Sequence, residues 1–447
     1  MAAATALNLC RPWQSPPTHN QFITKPRPSI RPPITCYAAN KSKREYTSVM
    51  IVPTGVGASI GGFAGDALPI ARVLSSVVDC LISHPNVLNA AMLYWPMPNV
   101  MYVEGYALDR FAQGLWALQP VHQNKVGLVL DAGIEEHLRV RHLQVADATR
   151  ASLGLPVVEY AVTDTPLEVE KWVNPTTGQS TGRIKHPDSL LRAVENLVKR
   201  SQVDAVAVVG RFPDDEVDDL DDYRLGILSV LLLGIDILAG VEAIISHLVV
   251  KEFQIPCAHA PAVSPLPLTS SLSPKSAAEE IGYTFLPCVL AGLSNAPQYL
   301  VKNPESLAKG CILASDVDSV ILPVDACGGD GALAFARSKR NKPLIICVEE
   351  NETVLNDTAD KLGIKVVFGV KDLKVVVDAH SKSLFLRTLV WKSKVRVSNY
   401  WEAIGVVAAH KAGIDPNSLR RNKIRNIQCL SDVQANGFAV STASSVT

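Results

Sequence analysis

Three stretches hold residue types that could do chemistry. In residues 49–74, VMIVPTGVGASIGGFAGDALPIARVL, an apolar run leads through Thr54, Gly55, Gly57, Gly61, Gly62 and Gly65 to Asp66, where a helix is expected to open. Glycines let backbone amides approach a ligand closely, and a helix N-terminus adds partial positive charge, so strand, turn and helix together would cradle a phosphate or carboxylate. Asp66 also fits a helix N-cap. Residues 318–353 repeat the pattern around Gly328, Gly329, Asp330 and Gly331, a second backbone nest with a carboxylate, and end on Glu350 and Asn351. The third stretch, GVEAIISHLVVKEFQIPCAHAPAVSP, contains Glu242, His247 and His259. Histidine serves as acid or base near neutral pH, or as a metal ligand. Glu242 and His247 are five apart on a predicted helix and share a face only roughly, while His259 comes after Pro256 in a predicted loop. No HExxH or other zinc spacing is present, so no metal is assigned.

Neither glycine turn matches a nucleotide fingerprint. GVGASIG has three residues between its second and third glycines where a dinucleotide-binding turn has two, and Asp79 falls inside the expected helix rather than ending a second strand. The Gly-Lys-Ser/Thr of a P-loop is missing as well. Gly328-Gly329-Asp330-Gly331 resembles the GGDG turn with which diacylglycerol kinases, phosphofructokinases and NAD kinases meet phosphates. Those families continue with a hydroxyl residue where this chain has Ala332, and no kinase is read from four residues.

Positioning these groups falls to alternating strands and helices. Strands are expected at 48–53, 126–131, 157–162, 203–209, 285–291, 319–323, 344–348 and 365–368. Helices are expected near 66–82, 135–152, 188–200, 238–253, 305–311, 331–339, 353–362 and 399–412. Alternation of wholly apolar strands with amphipathic helices specifies an α/β fold: mostly parallel sheets flanked by helices in Rossmann-like layers. Ligands in such folds bind beyond the strand carboxyl ends. Those ends would bring Asp131, Arg211, Asp330 and Glu350 to one rim with the two glycine turns, a setting suited to a small polar metabolite. His247, His259, Asp131 and Glu350 are the candidate catalytic groups.

The whole chain has 447 residues, 43 basic and 43 acidic, 47% of them apolar. Zero net charge gives no electrostatic footprint for nucleic acid. Nine cysteines without a CxxC pair, most in apolar runs, read as core thiols rather than a disulfide framework. Residues 1–44 hold seven Lys/Arg, seven Ser/Thr and seven Pro and no acid. That composition, without a long apolar core, marks an organelle transit peptide, and ITCYAA at 34–39 resembles plastid processing sites, so the chloroplast stroma is the expected location. The apolar stretch 225–250 is long enough to span a bilayer but contains Asp236, Glu242 and His247 and is read as buried helix instead. The acidic run 214–222 reads as a solvated loop. The expected division is a leader over 1–44, α/β parts over 45–190 and 191–415, and a mobile tail over 416–447.

IVPTGVGASIGGFAGDALPIARVL, ISHPNVLNAA, VEAIISHLVVKEFQIPCAHAPA, EIGYTFLPCVLAGL and VEENETVLND resemble the cyanobacterial and plastid family known as domain of unknown function 3326. The resemblance spans most of residues 47–380. It implies a plastid-lineage protein and transfers no reaction. The family pattern runs from a Tyr-Arg pair closely to Gly-Asp and AGVEA, whereas here LGILSVLLL, residues 225–233, comes after Tyr223-Arg224. The functional expectation is a protein that holds a small anionic metabolite at its glycine turns, either an enzyme using His and Asp acid–base chemistry or a non-catalytic binding or assembly protein. The cofactor is left open, and a homo-oligomer is admitted.

Overall fold

The computed structural model describes residues 44–62, 66–84, 88, 97–214, 235–264, 274, 285–301, 310–338, 342–364 and 394–419. The leader before residue 44, the insertion at 225–233, the expected strand at 365–368, the tail beyond 419 and most of the expected helix at 305–311 lie outside them. Two all-parallel sheets organise the rest. The larger has the order β14 (Lys394–Val397), β13 (Leu344–Val348), β12 (Val317–Pro323), β1 (Thr47–Met50), β2 (Cys80–Ser83) and β3 (Val100–Tyr102). The smaller has the order β10 (Cys257–Ala262), β9 (Ala205–Arg211), β5 (Val126–Leu130) and β6 (Val157–Val162). Each sheet therefore takes strands from both the 45–190 and the 191–415 parts. An antiparallel pair, β4 (Trp116–Gln119) with β11 (Gln298–Val301), and a hairpin, β7 (Val169–Val173) with β8 (Ser180–Ile184), complete the strands.

Helices cover both faces of each sheet, and side-chain alternation shows why. In the smaller sheet Leu128, Leu130, Ala207, Val209, Ala258 and Ala260 share one core with α3 (Glu136–Leu153) and α6 (Leu286–Ser294). The intervening Val129, Val206, Val208 and Cys257 pack against α4 (Pro187–Asn196) and α5 (Ile237–Phe253). In the larger sheet Met50, Leu81, Ile321 and Ile346 face α1 (Leu68–Val77) and α8 (Tyr400–Lys411). Val49, Ile82, Val320 and Cys347 face α2 (Gly105–Ala112) and α7 (Asp330–Arg337). With both faces apolar, these strands read as continuous hydrophobic runs. The α/β expectation with parallel, helix-flanked sheets holds.

Several element assignments change. The expected strand 285–291 is α6, an apolar segment buried on nearly every side, for which periodicity cannot separate strand from helix. The expected helix 66–82 is α1 with β2 after it, and Asp66 is not the cap: Ala67 occupies that position and makes no side-chain cap bond. The expected helix at 353–362 is a series of turns holding an isolated bridge between Ala326 and Asp357. His259 lies within β10 rather than in a loop. Among the described residues no helix is long and apolar enough to cross a membrane.

Candidate functional site

Helix α5 presents polar side chains in two directions. Asp236 caps its start by accepting the Leu238 N–H at 2.8 Å, and Gln254, at φ 57°, closes it. From one side His247 points toward α2. Its Nδ1 lies 2.7 Å from Oε1 of Glu104, the residue just beyond β3 and just before α2. Glu104 is buried, and its second oxygen accepts the Tyr106 N–H at 2.8 Å and the Ala107 N–H at 3.3 Å, so one carboxylate caps α2 and holds the imidazole. This pairing puts the Nδ1 proton on the Glu104 side and leaves Nε2 to act as base or acid, on a ring whose side chain is 43% exposed. Burial pulls the His247 pKa down, but the Glu104 hydrogen bond and charge, with Asp109, outweigh it and carry it above the ordinary value.

Asp109 links this pair to the second glycine turn. Its Oδ1 accepts the Gly331 N–H at 2.8 Å at the first turn of α7, where an external anion was expected. Burial raises the Asp109 pKa first of all; the Gly331 bond opposes this and Asp330 reinforces it. Tyr106 meets His247 edge-on at 5.3 Å and carries the Arg110 guanidinium 4.7 Å over its ring. Gly329, the N-cap residue, is exposed, with nothing within 4 Å of where a Cβ would stand.

The other side of α5 faces β10. Ser246 Oγ lies 2.6 Å from His259 Nδ1, and His259 Nε2 lies 3.5 Å from Glu242 Oε2. Ser246 and His259 are buried, so both ring nitrogens face partners inside a helix–sheet contact. Glu242 and His247, five apart on one helix and only roughly on one face, thus serve different partners.

The remaining expected groups are engaged in holding the chain together. Asp131 is 1% exposed and accepts three backbone amides, from Gly133 and Leu167 at 2.9 Å and from Arg211 at 3.0 Å. The Arg211 guanidinium grips both Glu135 and Asp214 with paired bonds and reaches the carbonyls of Phe212 and Ala262. Its hydrogen bonds to the Asp214 carboxylate hold that group down at about 2. Glu350 accepts the Tyr400 N–H at 2.7 Å, at the start of α8. Asn351, fully buried, accepts the Ile60 N–H at 3.0 Å and donates to the Ile60 carbonyl at 2.9 Å and the Tyr400 hydroxyl at 2.8 Å.

The first glycine turn is correspondingly tied down. Gly55, Gly57 and Gly61 have φ of 70°, 59° and 89°, a region that favours glycine. The Gly61 amide is taken by Asp66, the Ser180 amide donates to the Gly55 carbonyl at 2.8 Å, and Thr54 is part of the turn just after β1. Gly62 packs against the Ala58 carbonyl and Gly328 against the Asp357 carboxylate. The single rim of the sequence reading is divided: Asp131 and Arg211 stand on the smaller sheet, the glycine turns, Glu350 and Asn351 on the larger. Glu104, Asp109 and Ser246 were missed. Glu104 would have been found only by reading the three-residue strand β3 and looking one or two positions beyond its carboxyl end. Among the described residues no group of three or more His, Cys, Asp or Glu is arranged to hold a metal ion.

Comparison with known proteins gives a family and a relative. The family described as "Protein of unknown function (DUF3326)" matches residues 47–420. The chain is 51% identical over 377 residues, 84% of its own length and 94% of the relative's, to an uncharacterised lipoprotein of Synechococcus sp.. No solved structure matches.

Proposed function

The chain belongs to the DUF3326 family, and from that premise we propose that it is an enzyme of small-molecule metabolism that transfers a proton through His247 on a phosphorylated or carboxylated metabolite. The observation that supports this is the 2.7 Å pairing of His247 Nδ1 with the buried Glu104 carboxylate. Such a pair fixes the tautomer and stabilises the imidazolium on a side chain that stays 43% exposed, the arrangement general acid–base catalysis needs. Positive charge for the anion comes from the imidazolium, from Lys251 one helical turn on and from Arg110, while the open backbone at Gly329 offers close approach at the start of α7. His259 is the weaker candidate, since both its nitrogens are engaged inside the chain. The acid-free composition of residues 1–44 supports the chloroplast stroma as the place of action.

Thermal-shift screening against nucleotides, sugar phosphates, carboxylates and divalent metals tests the reading. A ligand at a hundredfold excess over its Kd stabilises by about 2.7 kcal/mol. Under the proposal one anionic class produces such a shift, His247→Ala removes it, and His247→Ala also abolishes turnover of that compound. Binding that survives without turnover would make the protein a non-catalytic metabolite binder. No shift with any compound in a folded sample would refute the proposal and leave an assembly role.

A further inference from the structure

The geometry points to a second chemical site, independent of the acid–base pair: Cys327 and Cys347 form a dithiol that peroxide converts to a disulfide. Cys347 lies on β13 and Cys327 in the turn that leaves β12, and their Sγ atoms are 3.7 Å apart. A disulfide bond is about 2.05 Å long, so closure asks for a movement of about 1.7 Å, within reach of small side-chain rotations. The two thiols are 1% and 0% exposed, which bars bulky reagents. Gly329, two residues along the chain from Cys327, is exposed, which places the turn carrying Cys327 beside the surface.

Hydrogen peroxide is the co-reactant with the right size. The Cys327 thiolate attacks one peroxide oxygen, the O–O bond breaks, and the departing hydroxide takes up a proton as water, leaving a sulfenic acid. The Cys347 thiolate then attacks the Cys327 sulfur, forming the S–S bond and displacing a second hydroxide, which is protonated to water. Two thiols and one peroxide thus give one disulfide and two waters, with Cys347 as the resolving group.

Cys327 immediately precedes Gly328 and stands four residues before Gly331, whose amide holds Asp109. The cross-link would tether this turn to β13. The Cys327 amide donates to the Asp357 carbonyl at 2.9 Å, and Gly328 has no spare room against the Asp357 side chain, so the backbone of this turn is already held on one side.

The full chain is treated with hydrogen peroxide, blocked with N-ethylmaleimide under denaturing conditions and digested for mass spectrometry. The expected product is one peptide pair joined through Cys327 and Cys347, two hydrogens lighter than the separate peptides and released by dithiothreitol. In Cys347→Ser the resolving thiol is gone, and Cys327 is expected to advance to sulfinic acid. The half-buried Cys311 reports that oxidant was effective. Alkylation of both Cys327 and Cys347 while Cys311 is oxidised would overturn the proposal, as would a cross-link from Cys327 to any other cysteine.

Discussion

Acidifying the protein from pH 7.5 to pH 5 tests how firmly the first glycine turn is anchored, through His84. This residue comes directly after β2, is fully enclosed, and accepts the Val52 N–H on Nε2 at 2.8 Å just where the chain leaves β1. Burial lowers its pKa from 6.5 to about 4. Between those values the unfolded chain binds a proton that the folded chain refuses. Stability contributed by neutral His84 is therefore fully present above about pH 6.5 and is lost progressively as the pH falls to about 4. At about 1.4 kcal/mol for each tenfold change in the proton equilibrium the whole window is worth about 3 kcal/mol, of which about 2 kcal/mol is gone by pH 5. Burial lowers the pKa values of His142 and His410 too, so the total acid loss is larger. The variant His84→Gln isolates the His84 share, because a glutamine carbonyl can accept the Val52 N–H without titrating. Urea unfolding monitored by tryptophan fluorescence at pH 7.5, 6 and 5 should show the stability of wild type relative to His84→Gln falling by about 2 kcal/mol over that range. A difference that stays constant with pH would refute the burial argument.

Other expectations are as direct. Glu104→Gln removes the carboxylate that raises the His247 pKa, so the NMR titration midpoint of the His247 ring should fall; an unmoved midpoint would mean that Glu104 does not set it. Asn351→Ala leaves the Ile60 amide and the Tyr400 hydroxyl without this partner and should cost about 2–6 kcal/mol in urea unfolding, at about 1–3 kcal/mol for each unsatisfied group. Two glycines in helices should respond oppositely to alanine, again read by urea unfolding. Gly240 in α5 would drive its Cβ into the Ser180 carbonyl and lose about 1–3 kcal/mol, whereas Gly405 in α8 has open space and should gain about 0.5–1 kcal/mol.

Legibility in the sequence tracks the places where burial is symmetric. β5 and β13 are apolar from end to end, and β9 and β12 are apolar through Ala205–Val209 and Val320–Leu322, because helices cover both faces, and such runs announce themselves. β10, CAHAPA, did not: it contains His259 and Pro261, and it tolerates Pro261 because it is an edge strand, where a missing N–H costs no ladder bond. β2, CLIS, was absorbed into the helix before it because apolar character continues across Val77 and Val78. For the site, the position of the histidines on or beside α5 could be read, but their partners could not. Glu104 is 143 residues from His247, and no local pattern marks a pair that only the packing of α2 on α5 creates. Asp131 and Arg211 were located correctly at strand carboxyl ends, but residue type alone does not tell a carboxylate that accepts three amides from one that awaits a ligand.

The place of β1 in its sheet bears on how the chain is made. Ser48 on β1 and Ser319 on β12 share a hydrogen bond of 2.9 Å across 271 residues of sequence. A ribosome adding about 5–20 residues per second needs roughly 15–55 seconds to cross that interval. β5, β6, β9 and β10 all lie between Val126 and Ala262, so the smaller sheet can assemble while β1, paired with β2 alone, still presents a bare edge of backbone donors and acceptors. Contacts of such long sequence separation slow folding and extend exposure to misassociation. A chain that stops before Val317 would keep its four-stranded sheet and leave β1 an open template for aggregation.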